Sequence, residues 1–165
     1  MAETERSGQV VLEGAPTDVG GPFHILLVED NPADVRLVQE GLRDAGIEHR
    51  LTVANDGVEA MERLHHLEEI GDPDIILLDL NLPRMGGHEV LQRVKAERRL
   101  RRIPVVILTT SAEEADVHEA YLNQVNSFVT KPVGFREFAD LIKDLGEYWM
   151  RRVTLATRLG APGLN

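Results

Sequence analysis

Short apolar and β-branched runs recur five times between residues 24 and 130, each bounded by polar residues. Runs of this length, apolar at consecutive positions, are typical of strands buried on both faces of a parallel sheet. The predicted strands occupy residues 24–28, 51–54, 74–79, 104–109 and 127–130.

The segments that follow these strands carry apolar residues at three- and four-residue spacing, which predicts a helix after each strand. Ser111 followed by Glu114 predicts a capping box at the start of the fourth helix. The last helix is predicted to continue past Arg152. Five alternating strands and helices predict an α/β fold, a doubly wound parallel sheet with right-handed crossovers.

Composition changes sharply at both ends of this pattern. Residues 1–22 are rich in Gly, Pro, Glu and Thr without sustained periodicity, which predicts a flexible N-terminal tail with a short run around Val10 that could dock. Residues 23–152 form the predicted domain, and 153–165 a C-terminal extension.

Charge and cysteine content exclude several classes of protein. The chain has 165 residues with 28 acidic and 18 basic side chains, a net charge of −10, which argues against a nucleic-acid-binding surface. It has no cysteine, so a thiolate metal site is impossible. The sequence shows no signal peptide and no apolar stretch long enough to span a membrane, so we expect a cytoplasmic protein without membrane contacts.

Acidic residues follow two of the strands directly. Glu29 and Asp30 come after the first strand, and Asp79 ends the third. The carboxyl ends of parallel strands share one edge of the sheet, so these carboxylates are expected to converge. Such a cluster repels itself unless protons or a cation neutralise it, and a hard divalent ion such as Mg²⁺ suits three carboxylates.

Four motifs in this order resemble the receiver domains of two-component response regulators over roughly residues 23–147. The motifs are LVEDN at 27–31, ILLDLNLP at 76–83, PVVILT at 104–109 and FVTKP at 128–132. The resemblance implies a flavodoxin-like, five-stranded parallel sheet of strand order 2-1-3-4-5.

The resemblance also assigns roles at the acidic edge. Asp79 matches the aspartate that accepts a phosphoryl group, a carboxylate nucleophile. Glu29 and Asp30 match the acid pair that binds Mg²⁺, and the backbone carbonyl of Asn81 matches a further ligand. The family implies a signalling protein that assists its own phosphorylation and dephosphorylation, not an enzyme.

Three further residues match the family's switch. Lys131 corresponds to the lysine that pairs with the phosphoryl group, in a Lys131–Pro132 bond that the family usually holds cis. Thr109 corresponds to the hydroxyl that moves toward the phosphate, and Phe128 to the aromatic residue that follows it. Together they form a bistable element that phosphate would bias.

Several phrases resemble single-domain regulators associated with bacterial phytochromes. This implies a histidine kinase, such as a bacteriophytochrome, or a phosphotransfer protein as partner. The terminal segment around 148–150 also resembles that group, in which the terminal region contributes to a homodimer.

Two other functions fit parts of the pattern. A pseudo-receiver would be a binding or dimerisation module that is never phosphorylated. An aspartate-nucleophile phosphatase would need an acid two residues after Asp79, where this chain has Asn81. Asp30 could simply cap the following helix, and the six histidines, including the isolated His88, are interpreted as structural or solvated.

Overall fold

The computed structural model describes residues 9–10 and 21–159. Its strands are β1 (Gln9–Val10), β2 (Phe23–Val28), β3 (His49–Ala54), β4 (Ile75–Leu78), β5 (Val105–Thr109) and β6 (Ser127–Thr130). Its α-helices are α1 (Pro32–Asp44), α2 (Gly57–His65), α3 (Leu67–Ile70), α4 (Gly87–Ala96), α5 (Glu114–Leu122) and α6 (Phe135–Glu147).

The strands form one sheet in the order β1-β3-β2-β4-β5-β6. Strands β2 to β6 are parallel, which confirms the predicted five-stranded sheet of order 2-1-3-4-5. The two-residue β1 adds to the outer edge of β3 in antiparallel orientation, with Gln9 opposite Arg50 and Val10 opposite His49. The rest of the predicted tail, apart from residues 21–22, lies outside the described residues.

Alternation along the parallel strands divides the buried apolar residues between two cores, because successive side chains point to opposite faces. On β2, Leu26 and Val28 face α2, α4 and α5, whereas Ile25 and Leu27 face α1 and α6. The two faces explain why these strands read as continuous apolar runs.

Neither α1 nor α5 begins with the cap considered from the sequence, since Asn31 and not Asp30 is the N-cap of α1. Asn31 caps α1 by accepting a hydrogen bond from the Ala33 N–H, 2.9 Å away. The capping box predicted at Ser111 is wrong, because α5 begins at Glu114 after Glu113. The Ser111 hydroxyl donates instead to Asp116.

The C-terminal segment packs back on the domain. The expectation of an α-helix past Arg152 is wrong: α6 ends at Glu147, and a π-helical turn, Tyr148–Arg152, buries Met150 and lets Arg151 donate to the Ala45 carbonyl. The chain then extends, buries Leu155 and ends in a 3₁₀ turn, Ala156–Arg158. Residues 160–165 of the predicted extension lie outside the described part of the chain.

No helix in the described ranges has the length and apolar character that a membrane crossing requires.

Candidate phosphoacceptor and cation site

Strand register brings the predicted acids together. Val28 and Leu78 are register partners at the ends of neighbouring strands, so Glu29 and Asp79 follow side by side. The Asp79 N–H also donates to the Val28 carbonyl, 3.1 Å away. The backbone of the sheet therefore fixes where both carboxylates leave it.

The three predicted carboxylates meet at this edge. Glu29, Asp30 and Asp79 each offer an oxygen within 4.8 Å of the others. Glu29 and Asp79 are buried, whereas Asp30 is exposed. The cluster therefore has two fixed members on the sheet and one member open to solvent.

Lys131 reaches the same cluster from the end of β6. Its N–H donates to the Thr109 carbonyl at 2.7 Å, and its Nζ lies 2.5 Å from Glu29 Oε2 and 3.1 Å from Asp79 Oδ2. Although the family resemblance predicts a cis Lys131–Pro132 bond, that expectation is wrong for this structure, where the bond is trans. The trans isomer is the lower-energy form of an X–Pro bond and still lets the lysine reach the acids.

Asp34 is a fourth carboxylate at the site, and the sequence interpretation missed it. It lies in the first turn of α1, and its Oδ2 is 2.8 Å from Lys131 Nζ. The sequence does show an acidic residue in the first turn of a helix that starts at this sheet edge. The motif alone does not tell which side of the helix that residue faces.

Burial and ion pairing act in opposite directions on the central pair. Burial raises the pKa of Glu29 to about 7, although the hydrogen bond from Lys131 acts to lower it. Burial lowers the pKa of Lys131, but hydrogen bonds to Asp34 and Glu29 outweigh this and raise it above its usual value. The ammonium is thus firmly charged at neutral pH, and Glu29 is the member of the pair that takes up a proton on acidification.

The two predicted switch residues lie on neighbouring strands. Phe128 is the register partner of Ile107, and its partly buried ring packs against the core cluster that contains Ile107. Thr109 lies two residues after Ile107 on β5, so it faces the same side of the sheet. Thr109 is fully buried, and its hydroxyl accepts from the Ser111 N–H at 3.3 Å.

The loop after Asp79 is held by close backbone packing. The Asn81 N–H donates to Asp79 Oδ1 at 3.2 Å. Gly87, at the start of α4, lies so near the strand end that an added Cβ would come within 2.2 Å of the Asp79 carbonyl oxygen. Arg84 pairs with Asp56, the N-cap of α2, at 2.9 Å.

The donor set fits a hard divalent cation. Converging carboxylate oxygens, one of them open to solvent, are the ligands that Mg²⁺ prefers while it keeps several waters. Lys131 now contacts oxygens of Glu29 and Asp79, so it neutralises part of the charge that a cation would otherwise neutralise.

A family model of the response regulator receiver domain matches residues 25–143. The chain belongs to the response regulator receiver family. The matched range contains every site residue described above, and the receiver assignment agrees with the observed sheet order.

Relatives of this receiver domain include regulators named for phytochromes. It is 44% identical over 137 residues to the response regulator Rcp1 of Synechocystis sp., covering 81% of this chain and 93% of Rcp1. A Mn²⁺-bound structure of Rcp1 superimposes with a TM-score of 0.77 over 81% of this chain and 99% of that one.

Two further solved structures are similar to it. The phosphorylated cyanobacterial phytochrome response regulator RcpA gives a TM-score of 0.79 at 40% identity over 82% of this chain and 99% of RcpA. The bacteriophytochrome response regulator AtBRR gives 0.61 at 47% identity over 76% of this chain and 93% of AtBRR.

Proposed function

We propose that this receiver is a single-domain response regulator that accepts a phosphoryl group on Asp79 from a histidine kinase or phosphotransfer protein. The observation that carries the proposal is the position of Lys131, whose ammonium lies 3.1 Å from the Asp79 carboxylate inside a cluster of acids. In the transfer, a bond forms between phosphorus and an Asp79 oxygen while the donor's phosphorus–nitrogen bond breaks.

In this proposal Mg²⁺ would be held by the carboxylates of Glu29, Asp30 and Asp79 and by the carbonyl of Asn81. The bound ion would supply positive charge to the phosphoryl oxygens. Lys131 pairs with those oxygens as a point charge. Thr109 and Phe128 then change position and alter a surface that protein partners contact. The protein acts in the cytoplasm as a signalling component, with no reaction turned over on an external substrate.

Phosphoryl labelling tests the proposal. With Mg²⁺ and acetyl phosphate or a phosphorylated histidine kinase, the wild type should acquire an acyl phosphate, and Asp79→Asn should acquire none. Asp44→Asn, at the exposed end of α1, is the matched control and should be labelled normally. A wild type that stays unlabelled would favour the pseudo-receiver instead. An Asp79→Asn variant that is labelled as strongly as the wild type would show that the phosphoryl group is carried by another residue.

We also propose a phytochrome-type kinase as partner and a homodimer as the signalling form. The phytochrome proposal is supported by similarity to RcpA, a phytochrome response regulator, and to AtBRR, a bacteriophytochrome response regulator. The dimer is supported by apolar side chains exposed near the C-terminal end, Tyr148 and Leu159. Sedimentation that shows only monomers at micromolar concentration, with and without a phosphoryl donor, would contradict the dimer.

A further inference from the structure

His88 is not isolated in the structure, although the sequence suggested that it was. It lies in the first turn of α4, and its Nε2 is 3.0 Å from Asp116 Oδ1 in the first turn of α5. Glu119 Oε2 is 3.6 Å from the same nitrogen. The side chains of His88 and Asp116 are 20% and 30% exposed, so this contact is half-buried.

Asp116 continues the contact toward the switch. Its Oδ2 accepts a 2.5 Å hydrogen bond from the Ser111 hydroxyl, and the Ser111 N–H donates to the Thr109 hydroxyl oxygen. The bonds from Ser111 and then His88 lower the pKa of Asp116, so its carboxylate remains the acceptor for both donors. A continuous hydrogen-bonded chain therefore runs from His88 to Thr109.

His88 also directly follows Gly87, which packs against the backbone of Asp79 and Leu80. Its neighbour Gly87 donates its N–H to the Leu80 carbonyl at 3.0 Å and packs against the Asp79 carbonyl. The His88–Asp116 contact thus links the segment that follows Asp79 to the segment that follows Thr109. This link lies away from the acidic edge.

Geometry favours a direct hydrogen bond over a second cation site at His88, Asp116 and Glu119. Nδ1 of His88 is buried and has no hydrogen-bond partner among the described residues. If Nε2 bound a metal ion, the ring proton would move to Nδ1 and leave a buried donor unpaired, whereas metal-binding histidines usually donate from that atom. With the proton on Nε2, the ring donates to Asp116 and leaves only an acceptor unpaired.

We propose that His88 is a positioning residue for the switch: through Asp116 and Ser111 it holds Thr109 in the unphosphorylated arrangement. This inference rests on the proposed phosphorylation of Asp79. When the Thr109 hydroxyl moves toward a phosphoryl group, the Ser111 N–H loses its acceptor or Ser111 pulls on Asp116. The His88–Asp116 contact holds Ser111 in place, so Ser111 cannot follow the Thr109 hydroxyl and the bond between them is lost. The contact thereby raises the free energy of the switched state.

Two measurements on the same variants test the inference. The first is amide hydrogen exchange at Ser111 in the protein without a phosphoryl analogue. The second is the affinity for beryllofluoride, an acyl-phosphate mimic, in the presence of Mg²⁺. His88→Ala removes the donor, whereas His88→Gln keeps an N–H donor of similar reach. His118→Ala is the matched control, since His118 pairs with Glu114 on the exposed face of α5 at 3.3 Å.

His88→Ala should speed exchange at Ser111 and bind beryllofluoride about fivefold more tightly, the lower end of the coupling expected between two linked sites. His88→Gln should restore both values toward wild type, and His118→Ala should change neither. Should His88→Ala fold poorly, Asp116→Ala breaks the same chain from α5 and should shift both measurements in the same direction.

Unchanged exchange in His88→Ala would show that the chain does not hold Ser111. Faster exchange with unchanged beryllofluoride affinity would show a purely structural contact. Either result overturns the inference while leaving phosphorylation intact. A wild type that binds no beryllofluoride would instead overturn the proposed function, and the inference with it.

Discussion

Lys131 and a divalent cation at the proposed site would share two carboxylates. The ammonium contacts Glu29 and Asp79, and both carboxylates belong to the proposed cation site. A cation bound there would place a second positive charge beside the Lys131 ammonium. We therefore expect the lysine to lower the affinity of the proposed site for a cation, because it already neutralises part of the acidic charge.

Lys131→Met should consequently bind Mg²⁺ at least about tenfold more tightly, since one positive charge is removed from beside the carboxylates. The same variant should lose phosphoryl labelling. Isothermal titration calorimetry measures the affinity, with Lys143→Met on α6 as a control. Unchanged or weaker Mg²⁺ binding would show that the lysine does not compete with the cation.

His24 makes a pH-dependent contribution to stability. Its Nε2 lies 2.8 Å from the Thr52 hydroxyl and its Nδ1 accepts from Arg50, a pattern that requires a neutral ring. Burial, and then the Arg50 charge, lower the pKa of His24 below 6.5. The unfolded chain therefore takes up a proton at higher pH than the folded chain, and stability is lost as the pH falls below 6.5.

In urea titrations at pH 7.5 and pH 5.5, His24→Gln should lose less unfolding free energy on acidification than the wild type does. His118→Gln, at an exposed position, should keep the wild-type difference. Equal losses in His24→Gln and wild type would contradict a neutral His24.

The residue-level interpretation from sequence succeeded where strand ends fix positions. Glu29, Asp30 and Asp79 meet as expected because parallel register determines where each carboxylate leaves the sheet. Asp34 and the His88–Asp116 contact were missed because they depend on helical phase and on helix–helix packing between residues far apart in the chain, neither of which a local motif encodes.

At the scale of elements, α4 begins after two consecutive glycines, and only the second is tightly packed. A Cβ on Gly87 would lie 2.2 Å from the Asp79 carbonyl oxygen and 2.7 Å from Leu80 Cα. A Cβ on Gly86 would meet only the Leu80 carbonyl oxygen, at 3.8 Å. The close approach of α4 to the end of β4, where Asp79 leaves the sheet, therefore depends on Gly87.

Gly87→Ala should lower the free energy of unfolding by about 1–3 kcal/mol, because backbone atoms must move to admit the methyl group. Gly86→Ala should stay within about 0.5 kcal/mol of wild type. Chemical denaturation measures both. Equal stability of the two variants would contradict the packing described for α4.

Element boundaries followed the sequence in the sheet and departed from it at helix ends. Strands β4 and β5 were predictable because they are buried along their whole length and almost entirely apolar. Strand β3 is only half-buried at its four central positions, and it begins at His49, two residues before the predicted start. The start of α5 was not predictable, because Ser111 lies two residues before the N-cap Glu113. Its hydroxyl donates to Asp116 in the first turn, a contact that local spacing does not reveal. The end of α6 was not, because the π-helical turn depends on burying Met150.

At the scale of the whole molecule, Arg158 joins the C-terminal segment to the base of the sheet. It pairs with Asp74 at 3.2 Å, lies 4.1 Å over the Phe23 ring and donates to the Gly21 carbonyl at 2.7 Å. The pair with Asp74 is mostly buried, so it is screened less than a surface ion pair. The segment after Arg152 therefore contributes to the stability of the receiver.

Arg158→Ala should lower the free energy of unfolding by about 2–4 kcal/mol, since Asp74 loses a buried partner and Phe23 loses its cover. Arg152→Ala, at an exposed position, is the control and should stay within about 0.5 kcal/mol of wild type. Thermal and urea unfolding of both variants decide the question. A wild-type stability in Arg158→Ala would mean that the segment is not docked in solution.

The hydrogen bond from Arg158 to Gly21 also brings two distant points of the chain within reach of one side chain. A short linker from Leu159 to Gly21 would therefore close residues 21–159 into a ring. That ring leaves out β1 but keeps all five parallel strands. Opening that ring at the exposed Gln124, between α5 and β6, would give a circular permutant in which β6 is synthesised first. The spatial order of the five parallel strands would stay the same, but the order in which they are synthesised would change. The permutant would therefore test whether folding depends on the order of synthesis.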